Sequence, residues 1–169
     1  GVLGETALEA LGRDIEAAAR DAAATIDAAE ANLDRLAQEL DRFGHVFVVG
    51  AGLAHVAALE AALKLKEIAL VHAEGGETWE MTSGAATMIG SDAIVVALNP
   101  AGPGHDATAD LVRHAAGWGA ATIEISPTAA VASSILVPLP GSAAEDHAPL
   151  TTVPPVALTF VPRRDELPG

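Results

Sequence analysis

The stretch HVFVVGAGLAHVAALEAALKLKEIALVHAE, residues 45–74, decides how this chain folds. His45-Val46-Phe47-Val48-Val49 is a short apolar run rich in β-branched side chains, the pattern of a strand buried on both faces. Gly50-Ala51-Gly52 breaks it, and glycines at such a point permit unusual backbone angles and a close approach of a ligand to the main chain. Residues 54–70 then read as a helix of about four and a half turns at 3.6 residues per turn. A short extended piece, residues 71–74, leads into Gly75-Gly76. Strand, glycine turn, helix and strand together make one βαβ unit.

Working outward, residues 5–42 are helical in character, with Ala, Leu, Glu and Arg dominant and no proline. Leu8, Leu11, Ile15 and Ala19 mark one apolar stripe, and Leu33, Leu36 and Leu40 a second. The segment is either one bent helix or two with a break near residues 29–32, where Asn32 is a candidate cap. It either covers its own sheet or packs on another subunit, since the same spacing serves a coiled coil. Beyond Gly76, residues 77–89 read as a short helix and loop. Ala93–Leu98 reads as a second strong strand, ending at Asn99-Pro100. A Gly/Pro connection precedes a helix over 106–118, which Gly119 is placed to stop. Residues 121–125 and 134–137 complete the strands. The recurrent order of strand, loop and helix predicts an α/β domain with a parallel sheet covered on both faces. Prolines at 149, 154, 155, 162 and 168 leave little room for a long final helix.

Composition narrows the function. The formal charge is -14, with only 9 Lys and Arg, so neither a nucleic-acid groove nor a basic membrane-surface helix is expected. With no cysteine, thiol chemistry, disulfides and cysteine-held metals are excluded. No apolar run is long enough to span a bilayer and no signal sequence opens the chain, so a cytoplasmic protein is expected. The chain starts at Gly1 rather than Met, as a fragment or a processed chain would.

Glu60, Lys64 and Glu67 stand at i, i+4 and i+7 of the helix, near one face. Lys64 and Lys66 are the only lysines in the chain. A carboxylate beside an ammonium is suited to moving a proton between adjacent carbons, or the three are an ordinary exposed ion-paired face. The glycine turn lacks the third small residue and the following acid of a dinucleotide site, and no phosphate loop ending in Lys and Ser/Thr is present. It is either a ligand turn or a plain βα turn. His72 and Glu74 share a strand face and could line a cleft, and His55 lies near the turn. His105, His114 and His147 form no tight metal pattern, and no HExxH occurs. Ser134 and Ser142 lack the GxSxG context of a hydrolase nucleophile.

Over GAGLAHVAALEAALKLKEIALVHAE the chain resembles the sugar-isomerase (SIS) domain family, and looks like the second isomerase domain of the glutamine-dependent glucosamine-6-phosphate synthases. The ALEAALKLKE core followed by HAE carries the resemblance, with weaker similarity across residues 45–139. It implies a three-layer αβα sandwich around a five-stranded, mainly parallel sheet, at residues 43–169, after a helical segment or linker at 1–42. It implies carbohydrate metabolism, a phosphorylated sugar as ligand, no cofactor and no metal. The expected partner is a second copy, as a homodimer, or another SIS domain. By position, Glu67 matches the general base of an aldose–ketose isomerase, Lys64 a neighbouring active-site lysine and Glu60 a supporting carboxylate. Gly50, Ala51, Gly52 and Ala54 match the turn near the sugar, and His72 and Ser83 complete the expected substrate-binding set.

The chain departs from those synthases in three places. Their ring-opening histidine lies in a KHGP segment, where Thr82-Ser83-Gly84-Ala85 stand here. Their phosphate is held by an SxSGxT loop of the first isomerase domain, and Asn99-Pro100-Ala101-Gly102 follows the corresponding strand here. Their lysine-bearing tail is replaced by residues 149–169, which hold no lysine. Amide transfer from glutamine is not expected without a cysteine nucleophile. The expectation is a phosphosugar isomerase domain, a sugar-phosphate isomerase or an aminotransferase- or deaminase-related one, or else a non-catalytic sugar-phosphate sensor or structural subunit of a larger SIS assembly.

Overall fold

The computed structural model describes residues 4–139; the proline-bearing tail, His147 and Ser142 lie outside them. Strands β1 (His45–Gly50), β2 (Ala73–Glu77), β3 (Ala93–Leu98), β4 (Ala121–Ser126) and β5 (Ile135–Pro138) form one sheet in the order β2-β1-β3-β4-β5. Every pairing is parallel. The helices are α1 (Glu5–Glu30), α2 (Leu33–Arg42), α3 (Leu53–Ile68), α4 (Thr78–Ser83) and α5 (His105–Gly117), with a 3-10 turn at Ala85–Met88.

Because side chains alternate along a strand, the sheet builds two cores. Val46, Val48, Ile94, Val96, Leu98, Ile123 and Ile125 meet Ala58, Ala62 and Leu65 of α3, joined by Ala28, Ala29, Leu36 and Leu40 of α1 and α2. Phe47, Val49, Val95 and Ala97 face the other way, toward Met81 of α4 and Leu111, Val112 and Ala115 of α5. The result is the expected αβα sandwich with five strands, here parallel throughout.

Strand β2 differs from its expected position. The reading placed it at 71–74 and treated Gly75-Gly76 as a turn, whereas it runs Ala73–Glu77 straight through both glycines. Glycine carries no strand preference, so sequence alone hides the strand. The reason for it is packing: a Cβ on Gly75 would lie 2.9 Å from Leu59 Cα and 3.0 Å from Ala58 O, so α3 can sit this close only over a bare backbone.

The N-terminal helical region is two helices, broken at residues 31–32. Asn32 holds the N-cap position of α2, but its side chain does not cap that helix. Its amide instead donates back to Ala28 O at 2.9 Å and closes α1. The first stripe of α1 is not covered by this chain's sheet, for Leu8 and Ile15 are 54% and 56% exposed. Gly119 ends α5 as expected, at φ +92, with Ala120 N–H donating to Ala115 O at 3.0 Å.

Candidate functional site

In a parallel sheet of this order, the connections after β1 and β3 leave toward opposite layers, and the strand ends there form the crevice where such folds receive ligands. Strand β1 delivers Gly50-Ala51-Gly52 to this edge. A Cβ on Gly50 would lie 2.7 Å from both Ala54 C and Ala54 O, so the start of α3 crowds the strand end. Gly52, at φ +57, turns the chain into the helix. The first turn of α3 has no acidic residue and no side-chain cap. The Ala54 and His55 N–H groups donate to Ala51 O and Gly52 O at 3.1 Å, and the positive dipole end carries no compensating charge from its own side chains, a setting that favours an anion.

Strand β3 delivers Asn99 and the loop to Gly104. Gly104 has φ +91, and a Cβ there would lie 2.4 Å from Ala51 Cβ and 3.3 Å from Trp79 Cη2. The two loops of the crevice therefore touch, with Trp79 of α4 against them. Glu77 Oε2 accepts the Trp79 N–H at 2.7 Å, and the Thr78 and Thr108 hydroxyls share a hydrogen bond of 2.9 Å that ties α4 to α5. His105 Nδ1 donates to Pro100 O at 3.1 Å and braces the loop. Four buried polar atoms near these strand ends have no hydrogen-bond partner among the described residues: Glu77 Oε1, both side-chain polar atoms of Asn99, and Ser126 Oγ. Unpartnered buried polar atoms are few in folded proteins and point to a missing ligand or water.

The second group lies on the exposed side of α3. Lys64 Nζ stands 2.8 Å from Glu67 Oε2 and 3.4 Å from Glu60 Oε1. The hydrogen bonds to Glu67 and then Glu60, with their negative charges, raise the Lys64 pKa above its ordinary 10.5. Lys64 is therefore a permanent ammonium at neutral pH, a hydrogen-bond donor and charge stabiliser rather than a base. The residue free to take a proton in this group is a carboxylate.

The predicted residues thus fall into two places. Glu60, Lys64 and Glu67 come together, and Gly50, Ala51, Gly52 and Ala54 come together, but at 1.5 Å per residue Gly52 and Glu67 stand about 22 Å apart along α3. His72 lies with the far group, at the start of β2, its ring packed edge-on against His45 at 5.6 Å. Ser83 ends α4, exposed, with its hydroxyl donating to Trp79 O at 2.9 Å. His72 and Glu74 are both exposed. Among the described residues no group of three His, Asp or Glu side chains is arranged to hold a metal ion.

Three residues at the crevice escaped the sequence reading: Glu77, Trp79 and Asn99. Asn99 carried a signal, a polar residue closing an otherwise apolar strand at its C-terminal end. Trp79 carried a weaker one, as one of two tryptophans in the chain. Glu124 was also passed over; it is fully buried in β4, with both carboxylate oxygens, at 3.0 and 2.8 Å, on the Ala130 N–H.

Comparison with known proteins agrees with the fold. The chain is 42% identical over 79 residues to the glutamine–fructose-6-phosphate aminotransferase (isomerizing) of Methanothermobacter thermautotrophicus, covering 47% of this chain and 13% of that protein. It is 36% identical over 96 residues to the enzyme of the same name from Thermococcus kodakarensis, covering 56% of this chain and 16% of that one. The match therefore spans only a small part of either relative. The C-terminal domain of glucosamine-fructose-6-phosphate aminotransferase from Francisella tularensis shares the fold, with a TM-score of 0.76 at 21% identity over 91% of this chain and 43% of that one. Among the described residues no helix is long and apolar enough to cross a membrane. The model of the SIS domain family matches residues 39–136, more than half of the chain, and the chain belongs to that family.

Proposed function

We propose that the chain is a phosphosugar-binding domain of aldose–ketose isomerase type, with Glu67 as the proton-transfer base. The observation that carries the proposal is the ion-paired group Glu60–Lys64–Glu67, presented to solvent on α3 with Lys64 Nζ within 2.8 Å of Glu67. In an open-chain aldose phosphate, Glu67 takes the proton from C2 and the electron pair moves into a C1–C2 enediolate. Lys64 stabilises the negative oxygen on C1, the hydroxyl proton of C2 passes to that oxygen, and Glu67 returns its proton to C1 as C2 becomes the ketose carbonyl. Glu60 holds Lys64 in place from the preceding turn.

A site needs both the carboxylate and the anion-binding turn, and about 22 Å of helix separates them in one chain. A paired arrangement resolves this. Two α3 helices packed antiparallel about a two-fold axis lay the turn of one domain beside the carboxylates of the other. Val56 and Leu59, between the two groups, and Leu63, within the second, are 64%, 48% and 41% exposed, an apolar strip suited to that contact. The partner is a second copy or another SIS domain. The ligand is a phosphorylated sugar, and neither a nucleic acid nor a membrane suits so acidic a surface.

Ser83, at the place of the family's ring-opening histidine, favours a second reading: a domain that binds the sugar phosphate without turning it over. Calorimetric titration with aldose and ketose 6-phosphates tests what the two share. Saturable binding is expected, with none for the unphosphorylated sugars; no binding by the intact assembly would remove both. Replacement of Glu67 by Gln separates them, since the isomerase loses turnover and the sensor has none to lose.

A further inference from the structure

Trp79 has no part in either group of predicted residues, yet it stands at the mouth of the crevice. It is 53% exposed, in a chain where aromatics make up only 3% of residues. Its backbone N–H is fixed by Glu77, and its indole rests on Gly104, where even a methyl group would collide with Ala51. The element that bears it is bound to α5 through Thr78 and Thr108. An exposed aromatic ring held this firmly loses little freedom when something stacks on it. Two residues before it, Glu77 has one carboxylate oxygen with no partner among the described residues, and the loop below begins at Asn99, 1% exposed and unpartnered there at both side-chain polar atoms. An apolar platform beside unused donors and acceptors has the chemistry of a sugar ring or carbon chain, which presents C–H groups on one face and hydroxyls at its rim.

We propose that Trp79 is a substrate-binding residue, the platform on which the carbon skeleton of the sugar phosphate lies while its phosphate is held separately at the turn. This rests on the phosphosugar reading above and adds to it a residue that selects for the sugar rather than the phosphate.

The two tryptophans make the test internal. Trp118 stacks on His114 at the far end of α5, so it reports on the opposite edge of the sheet. In the intact W118F protein, titration with fructose 6-phosphate or glucose 6-phosphate should shift Trp79 emission saturably, with the dissociation constant found by calorimetry. Inorganic phosphate should leave emission unchanged. W79A should weaken hexose phosphate binding at least about tenfold, W79F should retain most of it, and inorganic phosphate affinity should stay the same in both. Calorimetric binding with unchanged Trp79 emission and unchanged W79A affinity would overturn the role of Trp79 while leaving the phosphosugar reading in place. No calorimetric binding in the wild type would overturn both.

Discussion

A methyl group added at Gly104 has no space, since its position lies 2.4 Å from Ala51 Cβ, and the backbone there holds φ +91. Gly104→Ala should therefore destabilise the domain by about 1–3 kcal/mol, read from the urea midpoint, and disturb the crevice as well. Leu70 is the opposite case. It sits at φ +55 directly after α3, 69% exposed, in the left-handed conformation that glycine usually supplies. Leu70→Gly should leave stability unchanged or raise it by up to about 1 kcal/mol, because relief of the strain is offset in part by the added freedom of the unfolded chain. Lys64 sets a pH dependence. Its pKa is raised in the folded state, so its contribution is complete below 10.5 and is lost as pH rises through the higher folded value. Any difference in melting temperature between wild type and Lys64→Met should thus hold constant through neutral pH and close only above 10.5.

At the level of elements, the strands with apolar side chains were legible and the one built on glycine was not. β1 and β3 announce themselves by unbroken Val, Ile, Ala and Leu runs, whereas β2 is AEGGE and is a strand because of what lies over it. Gly75→Ala should consequently push α3 from the sheet and lower stability by about 1–3 kcal/mol in denaturant, although no side chain is removed. The candidate site divides in the same way. Helical spacing placed Glu60, Lys64 and Glu67 on one face, because that follows from 3.6 residues per turn. The helix read over residues 54–70 already sets Gly52 and Glu67 at opposite ends, but spacing could not show which neighbouring elements meet at either end. Nor could it bring Trp79, Asn99 and Gly104 to one edge, since their meeting depends on which strands are neighbours.

For the whole molecule, the separation of turn and carboxylates makes pairing part of the proposed function. Leu59→Glu, placed in the exposed strip of α3, should leave the melting temperature of the domain nearly unchanged, whereas sedimentation should show the wild type paired and the variant monomeric. Phosphosugar affinity should fall with the loss of pairing. If pairing is with a second copy, mixing Glu67→Gln protein with Trp79→Ala protein should restore some turnover, because a mixed pair retains one site with both parts intact. The most direct measurement of the central claim is solvent deuterium incorporation at C2 of hexose and hexosamine 6-phosphates, followed by NMR with the intact native assembly. The account predicts exchange by the wild type and a loss of about 10²–10⁴-fold in Glu67→Gln with sugar-phosphate affinity retained. No exchange by the wild type, or an equal rate in Glu67→Gln, would contradict it.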